Sequence, residues 1–237
     1  GTFTVKGLVR MAEMKPVLDL QVKTDNLVMA GRNLSGSYDE DAKARINANL
    51  KIIGQIKNPM VSGDINIPSG YISLGRPGKL EPVRAAVNPG FNVNVLLGKE
   101  MLLASGQVRA PLYGKLSIAG TLAAPVVDGD IDISDGSIFF PMSQLRLMPG
   151  SSMDVHLSSV QRSAVLLDFT AQGNIVDVNS FGQRKRYAIT MESKGPMNNL
   201  ASTFTSSPLG LSSERIVSLL TGQGQLEWLF SRSHEKD

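Results

Sequence analysis

Residues 50–72 of the chain read LKIIGQIKNPMVSGDINIPSGYI, and residues 116–138 read LSIAGTLAAPVVDGDIDISDGSI. The two stretches align without a gap at a separation of 66 positions, the difference between 116 and 50. Degenerate further copies occur at 2–9 and 189–196. Repetition of one supersecondary unit is typical of a stacked array, in which each copy covers the apolar surface of its neighbours.

Alternation of apolar and polar side chains inside each copy predicts amphipathic strands. Ile65 and Ile67 flank Asn66 in the first copy, and the second copy repeats this pattern at 131–133. Because successive side chains of a strand point to opposite faces, we expect one face of the sheet to be apolar and the other polar. The same alternation recurs at 18–23, 91–95, 153–157 and 187–192.

Glycine and proline divide each copy into strands and turns, and they interrupt any helical period over most of the chain. In the two copies, respectively, we expect a strand to end at Gly54 and Gly120, Pro59 and Pro125 to lie where no ladder hydrogen-bond donor is required, and the next strand to restart at Gly63 and Gly129.

Composition excludes several classes of protein. A chain of 237 residues with 42% hydrophobic content can bury a sizeable core. The net charge of +3, from 24 basic and 21 acidic residues, is too close to balance to indicate a nucleic-acid partner. Without cysteine, neither disulfides nor thiolate metal sites can form. No run approaches 18 apolar residues and the start lacks the features of a signal peptide, so we interpret the chain as part of a longer protein.

These patterns predict an all-β fold. The apolar face must be covered although few helices are available, and aromatic residues, at 5%, are few for filling a wide sandwich core. We therefore expect a repetitive, curled amphipathic sheet, groove-like or taco-like, with a hydrophobic interior. The groove is assigned to residues 1–205, and residues 206–237 are assigned to a short helix and a C-terminal tail.

The helix is predicted at about 213–221. Ser212 is suited to its N-cap, Glu214 lies in the first turn where the helix dipole favours an anion, and Gly222 fits the position beyond its end. Its apolar side chains either plug one end of the groove or only stabilise that end. Residues 226–230, which include the only Trp, either contact lipid or a partner or pack against the helix.

We expect the groove to be lined by apolar side chains of successive strands. Period-two alternation alone supports these assignments, and a bulge would reverse individual members. The predicted lining residues are Ile65, Ile67, Ile72, Val93, Val95, Ile131, Ile133, Ile138, Val155, Leu157, Phe169, Ile189 and Met191.

No enzymatic site is expected, and neither a cofactor nor a metal. Asp128, Asp130 and Asp132 have the carboxylate spacing that opens a calcium loop, but Ile133 stands where such a loop needs Gly and Phe139 where it needs Glu. Solvated carboxylates of the polar face are the simpler interpretation.

The remaining polar motifs do not indicate a catalytic or cofactor-binding site either. His156 lies on the polar side of a strand and His234 in a charged tail, and neither is placed for a catalytic triad. The glycines of 222–224 lack the third glycine of a dinucleotide loop. The basic run 184–186 is either a solvated hairpin tip or a contact for anionic lipid headgroups.

Four segments carry a resemblance to a known family. The two repeats, the segment RAPLYGKLSIAG at 109–120 and the segment TFTSSPLGLSSERIVSLLTG at 203–222 resemble the C-terminal domain of the TamB family. The last segment is similar to the Ser-Pro turn and short helix of that family. The match runs roughly from Thr2 to Gly222. Family members usually end in an amphipathic β-segment, whereas this chain ends in LFSRSHEKD at 229–237.

The resemblance implies a large envelope protein of diderm bacteria, anchored in the inner membrane and crossing the periplasm as a hydrophobic β-groove, of which this chain would be a soluble portion. It implies an outer-membrane partner of the Omp85 class, such as TamA, and roles in outer-membrane protein assembly and phospholipid transport. The expected occupants are lipid acyl chains or apolar β-segments. The alternatives are a purely structural β-repeat spacer or adhesin with a dry core, and a hydrolase, for which the chain offers no catalytic residues.

Overall fold

A computed structural model describes residues 1–12, 15–32, 40–73, 86–158, 164–178, 183–197 and 199–222. These residues form one large, open, curled sheet followed by a short helix, so the predicted fold class is confirmed. The elements are β1 (Thr2–Ala12), β2 (Lys15–Arg32), β3 (Glu40–Gln55), β4 (Met60–Ser73), β5 (Gly90–Ser105), β6 (Val108–Pro111), β7 (Tyr113–Thr121), β8 (Pro125–Asp132), β9 (Ser137–Phe140), β10 (Ser143–Leu147), β11 (Ser152–Ser158), β12 (Ala164–Val178), β13 (Arg184–Pro196), β14 (Ala201–Ser207) and α1 (Ser213–Thr221).

The sheet is a meander in which three positions are each filled by two short strands. β6 and β7 pair with successive halves of β5, and only Leu112 separates them. In the same way β8 continues into β9, and β10 continues into β11, before both β10 and β11 pair with β12. The fourteen strands therefore occupy eleven positions across the sheet. Among the described strands, β1 and β14 form its two edges.

Interruptions of strand pairing line up across neighbouring strands and form what we call the crease. Each interruption lies opposite the next one, because the pairing registers break at facing positions. The residues of the crease are 25–26, 46, 68, 98–99, 112, 133–136 and 148–151. A bulge bends the strand that carries it, so a line of interruptions from β2 to the β10–β11 connection bends the sheet.

Each sequence repeat forms a hairpin and the beginning of the crease. Residues 50–72 form the β3–β4 hairpin, and residues 116–138 form β7, β8 and the start of β9. The strands end within one residue of Gly54 and Gly120, as predicted, and Pro59 lies in the turn. Pro125 is the first residue of β8, a strand position that tolerates proline.

One sequence prediction about the repeat is wrong. Gly63 and Gly129 do not begin strands, because β4 already starts at Met60 and β8 at Pro125. Both glycines lie inside strands where the neighbouring strand is very close. A Cβ at Gly63 would lie 2.2 Å from the carbonyl oxygen of Asn49. Glycine within a strand often marks such a close approach of two backbones.

A single parallel step keeps the two repeats in the same orientation. β4 and β5 pair in parallel, whereas the other neighbouring strands of the described sheet pair antiparallel. The turns of the two repeats consequently lie at the same end of the sheet. The segment before β5 joins them, because Asn88 N–H donates to Lys57 O at 2.8 Å and Leu122 N–H donates to Pro89 O at 2.9 Å.

Helix α1 has the termini that the sequence predicts. The Ser212 side chain accepts a hydrogen bond from Arg215 N–H, and Gly222 follows the last turn with a positive φ of 75°. Backbone and Ser212 hydrogen bonds lower the pKa of Glu214 below its ordinary value, which suits a carboxylate at a helix N-terminus. Residues 226–230 and His234 lie outside the described residues.

Candidate functional site

The candidate site is the apolar face of the sheet, which we define by the side chains that share a face with Val93. Paired residues of adjacent strands lie side by side on the same face. One row of paired positions therefore crosses eight strands, and its members are Val5, Val22, Leu50, Gly63, Val93, Ile118, Val127 and Leu157. No polar side chain interrupts this row.

Two further rows run beside it. One consists of Phe3, Thr24, Ala48, Ile65, Val95, Leu116, Gly129, Val155 and Val165, and the other of Ile67, Leu97, Gly114, Ile131, Met153, Leu167 and Gly195. Thr24 is the only polar member, and its hydroxyl accepts from Ala48 N–H at 2.8 Å and donates to Ile46 O at 3.3 Å. The apolar face is thus continuous in both directions.

Exposure along the apolar face falls from the β1 edge toward the middle of the sheet. In the first row Val5 is 48% exposed, Val22 and Leu50 are half-buried, and Val93 is only 4% exposed. Among the described residues, the buried hydrophobic side chains all lie between Val93 and Leu220. The face is therefore open to solvent at β1–β3 and covered at Val93 of β5, and along this row it is half-buried again at Ile118 and Val127.

The structure brings twelve of the thirteen predicted lining residues into one apolar cluster. Eight are buried in it, namely Val93, Val95, Ile131, Ile133, Ile138, Phe169, Ile189 and Met191. Four are partly buried and pack against it, namely Ile65, Ile67, Ile72 and Val155. Leu157 lies on the same face but near the end of β11, where it is 43% exposed and outside the cluster. That these residues line a conducting groove is still a prediction.

Sequence reasoning missed the part of the face that β2 contributes. Leu18, Leu20 and Val22 of β2 are half-buried, and they pair with Gly54, Ile52 and Leu50 of β3. The alternation at 18–23 indicated an amphipathic strand, but it gave no reason to place that strand beside the first repeat. Only the pairing register shows that these side chains continue the apolar face.

Glycines on the apolar face allow the strands to come close together. Gly129 pairs with Leu116 on one side and with Val155 on the other. A Cβ at Gly129 would lie 2.2 Å from Lys115 O and 2.7 Å from a methyl carbon of Leu116. The missing side chain leaves room for its large neighbours, so the sheet can curl toward this face without a gap or a clash.

Helix α1 covers the apolar face at its far end. Ile216 and Leu220 are completely buried in the cluster, beside β12 and β14. Met142 N–H donates to Leu220 O at 3.1 Å, and an ion pair joins Arg215 Nη2 to Asp177 Oδ1 at 2.5 Å. Helix α1 therefore covers one end of the apolar face, and whether it plugs a groove there or only stabilises that end is still a prediction.

The opposite face is polar and carries paired carboxylates. Asp154 and Asp130 lie directly opposite each other, and their hydrogen bond raises the pKa of Asp154 above its ordinary value. Hydrogen bonds from Ser134 lower the pKa of Asp132, and Lys194 pairs with Asp168 at 2.5 Å. These groups are exposed, as expected for a solvated outer face.

The described residues contain neither a cluster of metal-ligating side chains nor a helix that could cross a bilayer. No group of three or more His, Asp or Glu side chains there is arranged to hold a metal ion. Asp128 instead contacts His156 across the β8–β11 pair. No helix in the same part of the chain has the length and hydropathy needed to cross a bilayer.

Comparison with known protein families gives one match. The family model for the TamB C-terminal domain matches residues 1–87 and 77–234, which together cover almost the whole chain. No curated protein matches the sequence. The TamB family consists of envelope proteins of the translocation and assembly module, which associate with TamA. The repeats, the open curled sheet and the family match together establish that this chain belongs to the TamB C-terminal domain family.

Proposed function

We propose that the apolar face is a groove that shields acyl chains or apolar β-segments in the periplasm, and that it supports phospholipid transport to the outer membrane and protein assembly there. The chain would act as the periplasmic part of a protein anchored in the inner membrane. Its outer-membrane partner would be a barrel of the Omp85 class such as TamA. This proposal refines the family's role in the translocation and assembly module.

The observation that carries the proposal is the uninterrupted row from Val5 to Leu157. An acyl chain makes no hydrogen bonds, so a polar side chain inside its path would be desolvated without compensation at a cost of about 1–3 kcal/mol. Eight strands without such a side chain offer a path free of that cost. The β1–β3 part of the face has solvent-accessible apolar side chains, where an apolar guest has room to bind.

The dimensions also suit lipid. Eleven strand positions at about 4.8 Å give a sheet roughly 50 Å wide. Half of a bilayer's hydrocarbon core is about 15 Å thick. The apolar face is therefore longer than one leaflet's acyl region, and it can hold a chain well away from either membrane.

The proposed role is not enzymatic. Shielding needs continuity of apolar surface rather than a discrete site, and burial supplies the free energy at roughly 25 cal/mol per Å² of apolar area. The paired carboxylates at Asp130 and Asp154 lie on the opposite face, away from the apolar rows.

A structural spacer with a dry core is the second candidate. The observation that favours it is the dense packing beyond β5, where Met101, Leu145 and Ile189 are almost completely buried. In that region the sheet covers its apolar side chains without a guest. The two candidates differ most at β2–β4, where the face is half-buried.

Site-specific photocrosslinking distinguishes the two candidates. A diazirine amino acid is introduced at Val22 or Ile65 on the apolar face, and at their neighbours Lys23 or Asp64 on the polar face, as matched controls. The protein is produced in the periplasm of a diderm bacterium and irradiated, and adducts are identified by mass spectrometry. We expect phospholipid adducts at Val22 and Ile65 only. Equal labelling of both faces, or none at any position, would contradict the groove and favour the spacer.

A blocking variant tests continuity. Ile67→Arg places a charge in the apolar path beside Ile65, whereas Asn66→Arg places the same charge on the polar face of the same strand. We expect Ile67→Arg to remove the adduct at Ile65 and Asn66→Arg to retain it. Far-UV circular dichroism checks that both variants keep the β-fold. An adduct that persists in a folded Ile67→Arg variant would argue against transport along the face.

A further inference from the structure

The tip of the β12–β13 hairpin presents two arginines and two valines on the polar face of the sheet. Val176 pairs with Arg186, and Val178 pairs with Arg184, so the four side chains form a compact square. Both valines are almost half exposed, at 47% and 48%, although a polar face normally carries polar side chains in a strand of this kind. Both arginines are also exposed.

Two more exposed apolar side chains belong to segments that adjoin this hairpin. Met142 is 69% exposed and directly precedes Ser143. The Ser143 hydroxyl donates to Asn174 O of β12 at 2.9 Å. Leu209 follows β14 two residues after Ser207, which pairs with Ala188, and it is 87% exposed. We call the set Met142, Val176, Val178, Arg184, Arg186 and Leu209 the tip patch.

The charge of the tip patch is not neutralised locally. Within the described residues, no ion pair connects Arg184 or Arg186 to a carboxylate. The nearest acidic residue along β12 is Asp177, which points to the opposite face and pairs with Arg215 of α1. Lys185 lies on the same face as Asp177, and its Nζ is 5.0 Å from the centroid of the Tyr187 ring.

We propose that the tip patch docks on the surface of an anionic lipid bilayer. Arginines attract lipid phosphates, and neighbouring aliphatic side chains enter the boundary between headgroups and acyl chains. The arginines of the tip patch supply the positive charge, and its aliphatic side chains supply the apolar contact. Among the described residues, none of these side chains has another partner. An acidic protein would account for the arginines but not for the two exposed valines paired with them.

The position of the patch adds to the argument. It lies at the end of the apolar face that α1 covers, since Asp177 joins the hairpin tip to α1 and Met142 N–H bonds to the last turn of α1. Docking there would hold that end of the sheet against a membrane. The inference goes beyond the proposed function, because surface docking requires no transfer along the apolar face.

Vesicle flotation tests the proposal. The chain is mixed with vesicles of equal parts phosphatidylglycerol and phosphatidylcholine, or of phosphatidylcholine alone, and the bound fraction is measured after centrifugation. We expect binding to the anionic vesicles only. Arg184→Gln/Arg186→Gln should weaken the partition coefficient roughly thirty-fold, at about 1 kcal/mol for each cation near an anionic surface. Val176→Ser/Val178→Ser should weaken it roughly ten-fold.

Matched variants remove the same charge and the same apolar groups elsewhere. Lys23→Gln/Lys51→Gln and Leu8→Ser/Val28→Ser change exposed side chains of β1–β3, and both should bind like the unaltered chain. Equal weakening by Lys23→Gln/Lys51→Gln would reduce the effect to net charge and overturn the proposal. It is also overturned if the unaltered chain does not bind anionic vesicles, or if the valine variant binds as well as the unaltered chain, which would leave an acidic protein as the partner of the arginines.

Discussion

Replacement of Gly129 by alanine should loosen the pairing of β7 with β8. The new Cβ would lie 2.2 Å from the Lys115 carbonyl oxygen and 2.8 Å from Leu116 Cα, both of them backbone atoms of β7. Since real Cβ contacts essentially never fall below 3.0 Å, β7 and β8 must separate locally by at least 0.8 Å, the difference between 3.0 and 2.2. A flexible side chain cannot absorb this displacement, because the atom in the way belongs to the neighbouring strand.

The magnitude follows from two opposing effects. Overpacking of this kind costs typically about 1–3 kcal/mol. A Gly to Ala change also lowers the entropy of the unfolded chain, which offsets about 0.4–1 kcal/mol. We therefore expect a net local destabilisation of about 1–2 kcal/mol. Because 1.4 kcal/mol corresponds to a factor of ten, amides of β7 and β8 should exchange with solvent roughly ten-fold faster.

Hydrogen exchange followed by mass spectrometry measures this effect on peptides covering 113–132. The matched control is Gly90→Ala, where the added Cβ meets only the flexible end of Met60, at 3.0 Å. That variant should exchange like the unaltered chain or slightly more slowly. Unchanged exchange of β7 and β8 in Gly129→Ala would refute the argument that the apolar face needs glycine for close strand packing. So would equal acceleration in both variants.

Three further predictions concern stability. Leu220→Ala removes a completely buried side chain of α1 and should cost about 2–5 kcal/mol, seen as loss of exchange protection in α1 while β12 and β13 keep theirs. Asp177→Asn breaks the ion pair with Arg215 and should release α1 less than Leu220→Ala does in the same measurement. Asp154→Asn should raise the urea midpoint at pH 7, because it removes a like charge opposite Asp130 worth about 0.2–1 kcal/mol. Because the pKa of Asp154 is raised in the folded state, the protonated carboxyl stabilises the fold below its ordinary pKa of 3.8. This stabilisation is lost as the pH rises through the folded-state pKa. The stability advantage of the variant should therefore disappear on acidification.

Period-two alternation was sufficient to predict the strands and the sides of most lining residues. Ile131 and Ile133 are buried on the apolar face, as their spacing indicated. The capping residues Ser212 and Gly222 located α1, because helix termini depend on local backbone chemistry that a sequence displays directly.

The sequence pattern did not predict the crease or the order of the strands in the sheet. Residues 133–136 connect β8 to β9 in the second repeat, but the equivalent position at Pro68 is only a bulge within β4. Whether a short irregular segment turns or continues depends on the strands beside it. Exposure at β1–β3 likewise depends on which strands lie next to one another, and alternation carries no information about that order.

The parallel step between β4 and β5 has a consequence for how such a chain can lengthen. One period of the sequence adds three strand positions, from β3 to β7. Three antiparallel steps would reverse chain direction at every duplication, and equivalent turns would emerge at alternating margins. With one parallel step per period, each new copy runs in the same sense as its template, with β5 paired to a strand of each copy. Growth by tandem duplication thus preserves both the continuous apolar surface and the end of the sheet from which the turns of the repeats project.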